Sequence, residues 1–169
     1  IRGSIYFKGH ADPTLSTADL LAMAAELKAM GVRRVEGDVV VDDTYFDEQN
    51  LPFAFDQQPN EENKFRAPVG AASLNENALA ITIGPGSLGM ERARVVLDPP
   101  GYAALTNDAV TVGQGANDPK ISSDSDDGRM RLRVYGQVPL GTRPVTYYRR
   151  IDTPSLLTGY GVKAALEQL

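Results

Sequence analysis

Residues 71–84 read "AASLNENALAITIG" and contain Ser73-Leu74-Asn75, a Ser-x-Asn triplet of the kind that lines sites of serine acyl transfer. A serine hydroxyl becomes a nucleophile only beside a group that takes its proton, so the triplet has meaning only with partners. In triplet-bearing acyl enzymes the nucleophile stands in Ser-x-x-Lys and a further strand carries Lys-Thr-Gly. None of the serines here begins Ser-x-x-Lys, and no lysine is followed by Thr-Gly. Ser73 therefore has no chemical partners in this chain, and no catalytic residue is assigned.

Other residues that could do chemistry have simpler readings. "GPGSLG", at Gly84, Gly86 and Gly89, matches the spelling of a dinucleotide loop. That motif needs a following helix to hold the pyrophosphate, whereas "MERARVVLD" alternates like a strand. A hairpin connection is expected. "DSDDG", with Asp124, Asp126, Asp127 and Gly128, is one residue short of a calcium loop and lacks its closing glutamate. Asp127-Gly128 instead suits a tight turn before a strand. Asp38, Asp42, Asp43 and Asp47 flank a strand end, where such side chains commonly cap turns. His10, the sole histidine, stands beside an Asp12-Pro13 turn. A metal-dependent hydrolase built on His10 and the aspartates is an alternative that a metal titration would test. No metal and no cofactor are assigned.

The elements that must position these residues follow from periodicity. Ile5 and Phe7 alternate around Tyr6 in a short strand. "STADLLAMAAELKAMG" predicts a helix capped by Ser16 and Asp19 and stopped at Gly31, with Leu20, Met23, Ala24, Leu27 and Met30 on one face. "RRVEGDVVVDD" predicts the next strand, giving an α/β start. Residues 48–64 form a long polar loop, a length usually tied to function or mobility. From Phe65 to about Ile151 the pattern is strands, among them "ALAITIG", "RARVVLD" and "RPVTYYRRI". In "GRMRLRVYG" arginines alternate with Met130, Leu132 and Val134, predicting one wet and one dry face. "TPSLLTGYGVKAALEQL" predicts a closing helix with Thr153 as cap and Pro154 in its first turn.

The chain of 169 residues has 42% hydrophobic and 23% charged residues, a balance typical of a water-soluble globular fold. Its net charge of −5 argues against a nucleic-acid partner. No apolar run reaches the roughly 20 residues of a membrane span. Without cysteine there is no disulfide and no thiol chemistry. No basic and apolar leader stands at Ile1, and the chain reads as a segment of something longer.

Three stretches together resemble one family. "GHADPTLSTADLLAMAAELKAMGVRRVEGDVVVDDTYFD" is similar to a segment of the D-alanyl-D-alanine carboxypeptidase/endopeptidase family of class C low-molecular-mass penicillin-binding proteins. There a G-G-G-D-P-T-L turn leads through a helix to G-D-(I/V)-V-V-D-D-S-x-F. His10 and Ala11 replace two of those glycines. "RAPVGAASLNENALAITIGPG" resembles the family's A-P-V-S-A-L-S-L-N-E-N segment, and "YYRRIDTPSLLTGYGVKAALEQL" its N-P-x-x-(Y/F) helix. The resemblance covers essentially the whole chain.

It implies a serine-type peptidoglycan hydrolase, periplasmic or secreted, whose Ser-x-x-Lys lies upstream of this region and whose catalytic Ser-x-Asn and Lys-Thr-Gly lie downstream. This chain would be the accessory region inserted between them, its Ser73-Leu74-Asn75 distinct from the active-site triplet. The implied fold is mixed α/β or α+β. An α/β lobe of residues 1–72 with 148–169 would carry a β-rich lobe of 76–147. The implied partners are the catalytic domain of the same polypeptide and, through it, the peptidoglycan stem peptide. Apolar residues near the ends, Leu156, Leu157, Tyr160, Leu166 and Leu169, would then be left exposed. The resemblance also places Phe53, Phe55, Asp56 and Phe65 where an aromatic and an aspartate approach the active-site mouth. An apolar pair beside a carboxylate suits a ligand with an aliphatic stem and an amine end. The same aromatics could instead pin the loop to its own domain. The alternative function is a stand-alone module that binds cell wall or protein without enzyme activity.

Overall fold

A computed structural model of the chain describes residues 1–47, 49–51, 55 and 61–168. The first strand, β1 (Ile5–Lys8), leads into helix α1 (Thr17–Ala29) and strand β2 (Val39–Asp42). The two strands pair in parallel, Ile5 opposite Val39 and Phe7 opposite Val41. α1 begins where Ser16 and Asp19 close a reciprocal cap, the Ser16 hydroxyl accepting from the Asp19 N–H and the Asp19 carboxylate accepting from the Ser16 N–H. Its buried stripe is narrower than the periodicity implies. Leu20 and Ala24 are buried, while Met23 and Met30 stand in solvent at the margins.

Two further sheets follow. In the first, β3 (Ala78–Gly84) lies between β4 (Arg94–Asp98) and β8 (Val145–Arg150), antiparallel to both. "GPGSLG" is thus part of a strand-to-strand connection, as the alternation after it predicts. In the second, β7 (Arg129–Pro139) lies between β5 (Ala104–Val112) and β6 (Asp118–Asp126). β6 and β7 form a hairpin whose two-residue turn is Asp127-Gly128, with φ of 52° and 75°. Both values are in the left-handed region that a tight hairpin turn of this hand requires. β5 pairs with β7 in parallel.

On β7 the arginines face water and Met130, Leu132 and Val134 face inward. The wet face is a charge ladder, with Arg131 2.6 Å from Asp124 and Arg133 2.8 Å from Asp108. The hydrogen bond and charge of Asp124 hold the Arg131 guanidinium even more firmly protonated than usual.

Helix α2 (Pro154–Glu167) returns to the start of the chain and packs on α1 and β2. Thr153 occupies the cap position but makes no side-chain cap bond, its carbonyl accepting from Leu157 N–H instead. Gly161 is the point of closest approach. A side chain there would meet Leu74 and Leu20, so the glycine that weakens the helix locally is what lets it dock. One cluster of buried side chains runs from Leu20 and Leu74 through Leu79, Ile81 and Leu157 to Leu132 and Val134. The architecture is mixed α+β, as the pattern of elements predicts. No helix among the described residues is long and apolar enough to cross a membrane.

Candidate functional site

The Ser-x-Asn triplet enters a turn that ties three elements together. Asn75, Glu76 and Asn77 have φ of 51°, 57° and 54°, three successive left-handed residues. Asparagine tolerates that region better than most residues because its short amide can bond locally. The Asn77 amide accepts from Leu74 N–H at 3.3 Å and donates to the Pro68 carbonyl at 2.8 Å and to Ser73 Oγ at 3.0 Å. Ser73 Oγ in turn donates to the Gly70 carbonyl at 2.8 Å. Leu74 is fully buried. Asn75 Oδ1 accepts from the Thr17 N–H at 3.1 Å and its Nδ2 donates to Thr17 Oγ1 at 2.8 Å, anchoring the start of α1. Every residue of the triplet is committed to the fold, and the bonds that hold Ser73 Oγ are neutral ones with no base among them.

The aspartates and His10 have similar explanations. Asp42 accepts from both the N–H and the hydroxyl of Thr44, and these bonds hold its carboxyl below the ordinary range. Asp43 accepts from Ala72 N–H at 2.8 Å, and Asp47 from Gln49 N–H at 3.1 Å. His10 lies edge-on to Tyr45 with ring centres 5.3 Å apart. Among the described residues no group of three His, Asp or Glu side chains converges on a point where a metal ion would sit. Ala11, where the resembled family carries glycine, has a φ of 63°.

Of the four loop residues, Phe53 and Asp56 lie outside the described residues. Phe55 is buried, with the guanidinium of Arg66 4.4 Å and that of Arg150 5.0 Å from its ring centre. Arg66 also donates to the Phe55 carbonyl. Arg150 carries the next stretch, its Nε donating to the Glu61 carbonyl at 3.0 Å and its N–H to the Glu62 carbonyl at 2.8 Å. Phe65 is 72% exposed. The structure thus places Phe55 inward and Phe65 outward. Arg66 and Arg150 were not singled out by sequence reasoning. Two cations flanking one aromatic across almost a hundred residues have no local signature.

None of the described apolar residues of α2 expected to be exposed is fully so. Leu156, Tyr160 and Leu166 are half-buried, but Leu157 is fully buried because it faces the core shared with Leu74. Leu169 lies outside the described residues. The half-buried three line a groove of about 970 Å³, shared with Leu27, Val39 and Val41.

A D-alanyl-D-alanine carboxypeptidase of Actinomadura sp. (strain R39) is 37% identical over 171 residues, a match covering 96% of this chain and 31% of that protein. The crystal structure of penicillin binding protein 4 from Haemophilus influenzae superimposes with a TM-score of 0.63 at 16% identity, over 98% of this chain and 36% of that one. A second structure of that protein, complexed with a β-lactam, gives 0.50 at 15% identity. The chain therefore spans about a third of the length of the relatives it matches. The model of the D-Ala-D-Ala carboxypeptidase 3 (S13) family matches residues 1–169 from end to end, and the chain belongs to that family.

Proposed function

We propose that this chain is the non-catalytic accessory region of a serine-type D-Ala-D-Ala carboxypeptidase or endopeptidase that acts on peptidoglycan outside the cytoplasm, in the periplasm or as a secreted protein. The observation that carries the reading is the state of the triplet. Ser73 Oγ is bonded to Gly70 and Asn77 in a structural turn, and the sequence holds neither Ser-x-x-Lys nor Lys-Thr-Gly. The family match supports the parent activity.

In this reading residues 1–72 with 148–169 form one lobe and 76–147 another. The separate hydrogen bonding of β1–β2 and of β5–β7–β6 supports that division, with β8 crossing the boundary in its pairing with β3 and one buried cluster joining the two lobes. In this reading Phe65, together with Phe53 and Asp56 of the same segment, receives the stem peptide. The outward Phe65 ring would meet the aliphatic part of that ligand, with the buried Phe55 anchoring the loop. The partner of the region is the catalytic domain of the same polypeptide.

Acylation by a β-lactam requires a serine beside a group that removes its proton, and donors placed for the oxyanion. Residues 1–169 incubated with labelled penicillin are expected to show no adduct by intact mass. The family-length protein is expected to show one, on a serine outside residues 1–169, at a rate nearly unchanged by Ser73→Ala. An adduct on Ser73 would overturn the proposal.

A further inference from the structure

We infer that the free edge of β2, with the groove between α1 and α2, holds an extended segment of the family-length polypeptide as a third strand. The inference rests on the accessory-region reading and names one surface through which that region joins the rest of its protein.

The backbone supplies the first argument. Ile5 N–H bonds to the Asp38 carbonyl and Gly9 N–H to the Asp42 carbonyl, both at 2.9 Å. Strand hydrogen bonding repeats every second residue, so the even-numbered positions of β2 face β1. The N–H and C=O groups of Val39 and Val41 therefore point to the opposite edge. Both residues line the groove.

The sheet supplies the second. Parallel strands occur almost entirely in sheets buried on both faces, and two strands alone are marginal. Here Phe7 and Val39 pack against the core and Val41 lies against Gly159 of α2, while Tyr6 on the other face is 72% exposed. Leu27, Leu156, Tyr160 and Leu166 form an apolar wall beside the free edge. A strand there would bury its inward side chains on that wall and pair its backbone with Val39 and Val41. A helix would satisfy its own backbone and leave the edge unpaired.

The source of the strand is the third. About two thirds of each relative lies beyond the matched segment, ample to supply it. A second copy fits less well. Its β2 would bring its own α2 into the space that α2 of the first already walls, because Val41 lies against Gly159 in each.

The test uses the family-length protein with a photo-reactive benzoylphenylalanine in place of Arg34 or Lys163, both lining the groove. Cross-linking within one polypeptide, to residues outside 1–169, is expected. The Val39 and Val41 amides are expected to exchange at least 100-fold more slowly than that of the turn residue Gly113. Cross-links between two polypeptides, or fast exchange at both valines without any cross-link, would overturn the inference. Penicillin acylation of the same samples separates the two readings. If it persists while the edge fails, only the strand is wrong; if it is absent, the accessory-region reading falls whatever the edge does.

Discussion

Ala11 holds a backbone conformation that an L side chain pays for, since the left-handed region costs roughly 1–2 kcal/mol for residues with a Cβ. Glycine removes that strain but adds freedom to the unfolded chain, an opposing effect of about 0.4–1 kcal/mol. Ala11→Gly is therefore expected to stabilise the chain by about 0.5–1 kcal/mol, read as a raised urea midpoint. An unchanged or lowered midpoint would show that the turn is not strained. Asn77 is the opposite case, because its amide is 5% exposed and satisfies three neighbours. Asn77→Ala strands the Pro68 carbonyl and the Leu74 N–H and leaves an alanine at a left-handed position. A loss of about 2–4 kcal/mol is expected, measured by equilibrium unfolding. The residues of this turn were visible in the sequence, but their role was not. "SLNEN" reads as a polar lip before a strand, and nothing local announces three successive left-handed residues. Their partners Pro68 and Thr17 come from elsewhere in the chain.

Helix α1 shows how far an element can be read locally. Both halves of its cap are spelled in Ser16-x-x-Asp19, and both bonds are present. Ser16→Ala is expected to cost about 1 kcal/mol in thermal unfolding at neutral pH. The Asp19 carboxyl is held below its ordinary range, first by the Ser16 hydroxyl and then by the Ser16 N–H. A group depressed in the folded state contributes stability above its unfolded pKa, near 4, and loses it as pH falls through the folded value. Asp19→Asn is therefore expected to lower the melting temperature at pH 7 and flatten its decline below pH 4. An unaltered acid limb would show that the cap is not coupled to folding. The β6–β7 hairpin was legible for the same reason, since Asp127-Gly128 and the alternating arginines are local signals. The parallel pairing of β5 with β7 was not, because the partner is chosen across an intervening strand. The outer margins of α1 were over-read. Met23 and Met30 obey helical spacing, yet α2 and Leu74 cover only the stripe of Leu20 and Ala24.

At the scale of the molecule, the family and the mixed architecture were readable, whereas the cation-flanked Phe55 and the groove required three dimensions. One feature governs the time course of assembly as well. The chain leaves its first elements at Asn77 and rejoins them at Ile151, whose N–H bonds to the Asn77 carbonyl at 3.2 Å. Every pairing within the sheets of β3 to β8 is made between those two points. α1, by contrast, meets α2 only through residues such as Leu20 and Gly161, near opposite ends of the chain. Contacts close in sequence form sooner because less chain entropy is lost in making them. On refolding, amides of β6 and β7 are expected to gain protection in pulse-labelled hydrogen exchange before those of β1 and β2; simultaneous protection would contradict this order. During synthesis the ribosome delivers these elements in the reverse sequence. β1, α1 and β2 emerge first and must wait for α2, a hundred residues later, with the valines of β2 uncovered.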